Sequence, residues 1–145
     1  MKSRRILIFI TGILIVLITV FLFIQKTPKE IIRKSFKYTS NKNLEKLKEC
    51  YTDQNKDSDF RLFNLKNKQV NTITLITDNE KYDAYIISKN GLGNTISKDD
   101  VKIFNVEYFI EYIDEKLEPE DNGNTSRHYT LIKENGDWKI DSVGD

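Results

Sequence analysis

The chain has 145 residues, which is room for one domain of ordinary size. Lys plus Arg number 23 and Asp plus Glu 22, a net charge of +1, which argues against a nucleic-acid binder with a clear basic excess. One Cys and one His exclude an intrachain disulfide framework, a cysteine zinc site and any His-pair metal motif.

The first element is apolar. Ile6 to Ile24 are nineteen residues without a charge or a proline. As a helix they would extend about 28 Å, close to the hydrocarbon thickness of a bilayer. Lys2, Arg4 and Arg5 precede them, so the positive-inside bias predicts a cytoplasmic tail over residues 1–5 and a signal anchor over residues 6–24. A cleaved signal peptide is the alternative, but its apolar region is normally shorter, and no pair of small residues follows Phe23-Ile24-Gln25.

Residues 27–145 then form the expected extracytoplasmic domain, with 19 basic and 22 acidic residues. The half from Lys26 to Thr72 is basic, 12 against 6, and the half from Ile73 to Asp145 is acidic, 8 against 16. Either the basic half is drawn to anionic lipid or wall polymer, or the two halves neutralise each other across the fold.

Thr27-Pro28-Lys29-Glu30 is a capping box with proline at the first helical position, and Ile32 and Phe36 give the helix an apolar face to about Thr39. Asn43 caps a second helix, Leu44 to Tyr51, in which Leu44, Leu47 and Tyr51 share a side. Val70 to Thr77 is rich in β-branched residues and reads as a strand. Glu80 to Asn90 fits a short helix, though its residues could alternate as a strand. Val101 to Ile113 is the strongest strand: Phe104, Val106, Tyr108, Ile110 and Tyr112 line one face, and a largely wet face carries Ile103, Asn105, Glu107, Phe109 and Glu111. Tyr129–Lys133 and Trp138–Ser142 form a hairpin about Asn135-Gly136, pairing Lys133 with Trp138, Leu131 with Ile140 and Tyr129 with Ser142.

Two helices before a run of strands make an α+β layout. The opening helix, the Asn43-Leu-Glu-Lys-Leu helix, the aromatic strand and the closing Tyr129-Thr-Leu-Ile-Lys-Glu-Asn-Gly-Asp-Trp-Lys-Ile-Asp string resemble the nuclear transport factor 2-like (ketosteroid isomerase-like, cystatin-like) superfamily over roughly residues 28–145. Within it the chain looks most like membrane-anchored or secreted bacterial domains of unknown function from low-GC Gram-positive bacteria. The resemblance implies, after the transmembrane helix, a cone: two to three helices packed on a curved antiparallel sheet, with space for a pocket at the wide end. Superfamily membership does not decide function.

The inward tyrosines Tyr108, Tyr112 and Tyr129, with Trp138, are the expected ligand-binding residues, or else plain core. No carboxylate shares their face as a catalytic base, so no catalytic residue is assigned and the chain is read as a non-enzyme. The acidic run Glu118 to Gly123 echoes a calcium loop but has Tyr129 where the twelfth ligand belongs, so no metal and no cofactor are expected. The resulting expectation is a single-pass cell-membrane protein with its C-terminal domain outside. It contacts the bilayer through Ile6 to Ile24 and holds a small apolar ligand or an envelope protein. The alternatives are a part of a conjugation or type IV secretion-like assembly, and an isomerase or dehydratase of the same superfamily.

Overall fold

A computed structural model describes residues 27–93 and 95–144. Helix α1, Pro28–Ser40, starts at the expected capping box: the Glu30 amide donates to the Thr27 hydroxyl at 3.3 Å and the Thr27 amide to the Glu30 carboxylate at 3.0 Å. It buries Ile31, Ile32, Ser35 and Phe36. Helix α2, Leu44–Lys48, is capped by Asn43, whose side chain accepts from the Lys46 amide at 3.1 Å. It is shorter than expected, because the chain turns after Glu49 so that Tyr51 can bridge in parallel to Ile140.

Strand β1 is Leu65–Leu75, helix α3 is Asn79–Gly91, and strands β2, β3 and β4 are Val101–Tyr112, Gly123–Glu134 and Asp137–Gly144. The four strands form one antiparallel sheet in the order β1-β2-β3-β4. Helix α3 settles the ambiguity over residues 80–90: Asp78 caps it, its side chain accepting from the Glu80 amide at 2.9 Å. Strands β1 and β3 both begin earlier than their hydrophobic patterns predict. Lys66-Asn67-Lys68 and Asn124-Thr125-Ser126 are too polar to read as strand, yet β2 pairs with Asn67 and Lys68 along one edge and with Asn124 to Ser126 along the other.

Helix α1 packs on one face of the sheet. There Ile31, Ile32 and Phe36 meet Phe104, Val106, Tyr108, Tyr129, Leu131 and Ile140, all buried. The Phe36 ring stands edge-on to Tyr108 at 5.3 Å. Each such side chain contributes on the order of 1.5–3 kcal/mol by leaving water. The opposite face is not wet along its whole length. Helix α3 covers one end of it, and Tyr82, Val101 and Ile103 form a second buried cluster against Ile86 and Ile132. The Tyr82 hydroxyl accepts from the Ile103 amide at 3.2 Å and donates to the Ile76 carbonyl at 3.0 Å, closing the end of the β1–β2 ladder.

The hairpin turn has both residues at positive φ, Asn135 at 54° and Gly136 at 86°, as a two-residue turn of this hand requires. Lys133 pairs with Trp138 and Leu131 with Ile140 as expected, but a bulge follows. Asp141 is the extra residue, so Thr130 faces Ser142, Tyr129 faces Val143 and His128 faces Gly144.

Two expectations are corrected. The curved, cone-shaped closure does not form. β1 and β4 stand at opposite edges of an open sheet, and the helices divide between its two faces instead of plugging one. The membrane-tethered, single-pass arrangement with the bilayer as partner also finds no support. Among the described residues no helix is long and apolar enough to cross a membrane. The two longest, α1 and α3, have 13 residues each, or about 20 Å against a hydrocarbon core of about 30 Å. The expected anchor, Ile6 to Ile24, lies outside the described residues. The surface placement and the secretion-assembly role both rested on that anchor, and no helix among the described residues supplies one in its place.

Candidate functional site

The bulge at Asp141 organises the surface between α3 and the β3–β4 hairpin. Asp141 is buried, and its carboxylate accepts from the Tyr85 hydroxyl at 2.6 Å and from Lys89 Nζ at 2.6 Å. Thr52 Oγ1 at 3.3 Å and Asn55 Nδ2 at 3.4 Å complete its surroundings, and Asn55 Nδ2 also reaches the Asp141 carbonyl at 2.8 Å. One buried carboxylate therefore ties α3, the loop after α2 and β4 together. Burial first, then the Asp141 hydrogen bond and charge, push the Tyr85 phenol far above its ordinary range, so it is a fixed donor.

Beside this clamp lies a cavity of about 370 Å³ lined by Lys81, Ala84, Tyr85, Ile103, His128, Thr130, Ser142, Val143 and Gly144. Helical spacing in α3 brings Lys81, Ala84 and Tyr85 to one side. Alternation in β3 brings His128 and Thr130 to the face that α3 covers. Lys81 Nζ is 3.5 Å from His128 Nδ1. The cavity is thus lined by apolar Ala84, Ile103 and Val143 and by an ammonium, an imidazole and two hydroxyls, with Lys81 and Ser142 exposed at its rim and Thr130 buried within it. Its volume is within the usual range of small-molecule sites.

The four aromatic residues singled out from the sequence lie elsewhere. Tyr108 and Tyr129 are 3% and 2% exposed on the α1 side of the sheet, packed on Phe36. Tyr112 is half-buried further along β2, and Trp138 is half-buried on β4 with Lys133 Nζ 5.4 Å from its ring. Tyr108 and Tyr129 share one cluster, which Tyr112 and Trp138 border. Two cations join Tyr108. Lys68 on β1 places Nζ 4.8 Å from its ring and 5.0 Å from that of Phe36. Arg127 on β3 interacts with its hydroxyl and pairs with Glu120. Burial lowers the Lys68 pKa to about 8, partly opposed by the charge of Glu120. Burial also pushes the phenols of Tyr108 and Tyr112 up to about 12 and that of Tyr129 well above its usual value.

Strand alternation puts His128 on the face away from Tyr129, under α3. Sequence reasoning missed the other cavity residues, because Lys81, Ala84 and Tyr85 become its wall only once α3 is laid across β3. The Glu118 to Gly123 run is committed to internal partners. Glu118 pairs with Arg61 at 3.2 Å and accepts from Asn64 Nδ2 at 2.7 Å, and Asn122 Oδ1 accepts from the Tyr112 amide at 2.7 Å.

Residues 29–144 match the family model described as Domain of unknown function (DUF4829), and the chain belongs to that family. No curated protein and no solved structure matches it. The assignment replaces the nuclear transport factor 2-like resemblance, which rested on two opening helices, an aromatic strand and a closing hairpin that an open four-stranded sheet carries equally well.

Proposed function

We propose that this DUF4829 domain is a non-catalytic small-molecule-binding module whose ligand occupies the cavity between α3 and the β3–β4 hairpin. The observation that supports it is the cavity itself: about 370 Å³, with an apolar wall and polar groups converging on one rim. Binding is favoured over catalysis because, among the described residues, the imidazole in the cavity meets an ammonium, Lys81 Nζ, and no carboxylate that would orient it as a base. Ligand-observed NMR on the full chain with a panel of neutral and charged aromatic fragments tests the reading. Fragments that bind should shift backbone signals of residues 81–85, 128–130 and 142–144, and Ala84→Trp should abolish the binding by filling the cavity. Shifts confined to other segments, or the absence of any binder, refute it.

A second reading takes Tyr108, Tyr112, Tyr129 and Trp138 as the ligand contacts. The observation that favours it is Lys68, a half-buried ammonium held against aromatic rings. On that reading the shifts fall on Lys68 and Tyr112 and leave α3 untouched.

A further inference from the structure

The rim of the cavity specifies the charge of what enters it. We propose that the ligand is a small amphiphilic carboxylate, its head between Lys81 and His128 and its apolar body against Ala84, Ile103 and Val143. The inference rests on the cavity being a binding site and goes on to name the ligand class.

Three features carry it. First, Lys81 and His128 approach to 3.5 Å, and among the described residues no acid is paired with Lys81. An ammonium beside an imidazole offers an anion a charge-assisted donor at the rim. Second, the neighbouring carboxylate is already satisfied. Asp141 is bound by Lys89 at 2.6 Å and by the Tyr85 hydroxyl at 2.6 Å, with Thr52 and Asn55 on its other oxygen, so its charge is compensated without Lys81. Third, the count of charges fits a monoanion. One fixed cation, an imidazole and the hydroxyls of Thr130 and Ser142 match a carboxylate with its two oxygens. A phosphate dianion would call for a second fixed cation, and Lys89, the next ammonium along α3, is held by Asp141. The wall opposite is aliphatic, which excludes a wholly polar ligand and requires an apolar body.

Calorimetric titration of the full chain with 3-phenylpropanoate, 3-phenylpropanol and 3-phenylpropylamine separates the ligand class from the site. The three probes share one body and differ in head group. The carboxylate should bind about tenfold tighter than the alcohol, and the amine weakest. Lys81→Gln should remove most of that tenfold preference, and Ala84→Trp should abolish binding of both the carboxylate and the alcohol. Alcohol affinity equal to or above that of the carboxylate, lost in Ala84→Trp, overturns the anion class and leaves the cavity reading standing. Carboxylate binding indifferent to both substitutions overturns the site assignment. Failure of all three probes to bind overturns the ligand class and the cavity reading together.

Discussion

Replacing Asp141 should be among the most damaging single changes to this domain. Its carboxylate is buried and receives four side-chain donors, two of them at 2.6 Å. In Asp141→Ala the Lys89 ammonium, whose side chain is 15% exposed, loses its counter-charge. Breaking a buried pair from one side costs on the order of 3–5 kcal/mol, because the remaining charge stays desolvated. The Tyr85 hydroxyl and the Thr52 and Asn55 groups each lose an acceptor, adding about 1 kcal/mol where water cannot reach. Against a total stability of roughly 5–15 kcal/mol, that is a third or more of the whole. Asp141→Asn keeps the shape and part of the hydrogen bonding but not the charge, so about 2 kcal/mol is expected. Urea unfolding followed by far-ultraviolet circular dichroism measures both variants. A cycle with Lys89→Met isolates the ion pair: the double variant Asp141→Ala/Lys89→Met should be more stable than Asp141→Ala alone by about 1–2 kcal/mol, since no buried charge is left over. An Asp141→Ala loss below 1 kcal/mol, or a coupling energy indistinguishable from zero, would refute the clamp.

Three further outcomes follow from the packing. Lys68→Met should stabilise the domain at neutral pH by roughly 1–3 kcal/mol, discounted because the side chain is only partly enclosed and its ring contacts are lost. The sign with pH is definite. The folded pKa of Lys68 is lowered from 10.5 to about 8, so its penalty is complete below about 8 and disappears as pH rises to 10.5. The gap between wild type and Lys68→Met should therefore narrow across that window, and a constant gap in urea melts at pH 7, 9 and 10.5 would contradict it. Tyr82→Phe should cost about 1–2 kcal/mol, because the Ile103 amide and the Ile76 carbonyl both lose their partner at the end of the β1–β2 ladder. Hydrogen exchange should show the Ile103 amide losing protection first. Gly136→Ala should cost about 1 kcal/mol from backbone strain alone, since φ is 86° and no atom lies within 4 Å of the added methyl. A loss several times larger in thermal melts would mean that the turn is packed against something.

Local chemistry was legible in the sequence where the signal was self-contained. The capping box at Thr27, the Asn43 cap, the alternation of Phe104 to Ile110 and the turn at Asn135-Gly136 each need only neighbouring residues, and each appears where the pattern put it. What depended on partners far along the chain was not legible. Ile103 reads as an apolar residue on a largely wet face until α3 covers it. Asp141 reads as an exposed residue of a hairpin until the bulge turns it toward Thr52 and Tyr85. The cavity drew least notice, because its residues come from α3, β2, β3 and β4 and no motif joins them. The cone comes with the superfamily resemblance, whose helices, aromatic strand and closing hairpin are shared by open and closed sheets.

The three-residue stitch from Cys50 to Thr52 has a bearing on how the chain comes off the ribosome. The Ile140 amide bonds to the Cys50 carbonyl at 2.8 Å and the Thr52 amide to the Ile140 carbonyl at 3.0 Å, so an early segment completes its hydrogen bonding only on the last strand. Because α1 and α2 precede that strand by some ninety residues, they must wait, half-assembled, until nearly the whole domain has been synthesised. A nascent chain arrested before Ile140 should be cut by protease throughout, and one arrested with Gly144 clear of the exit tunnel should resist.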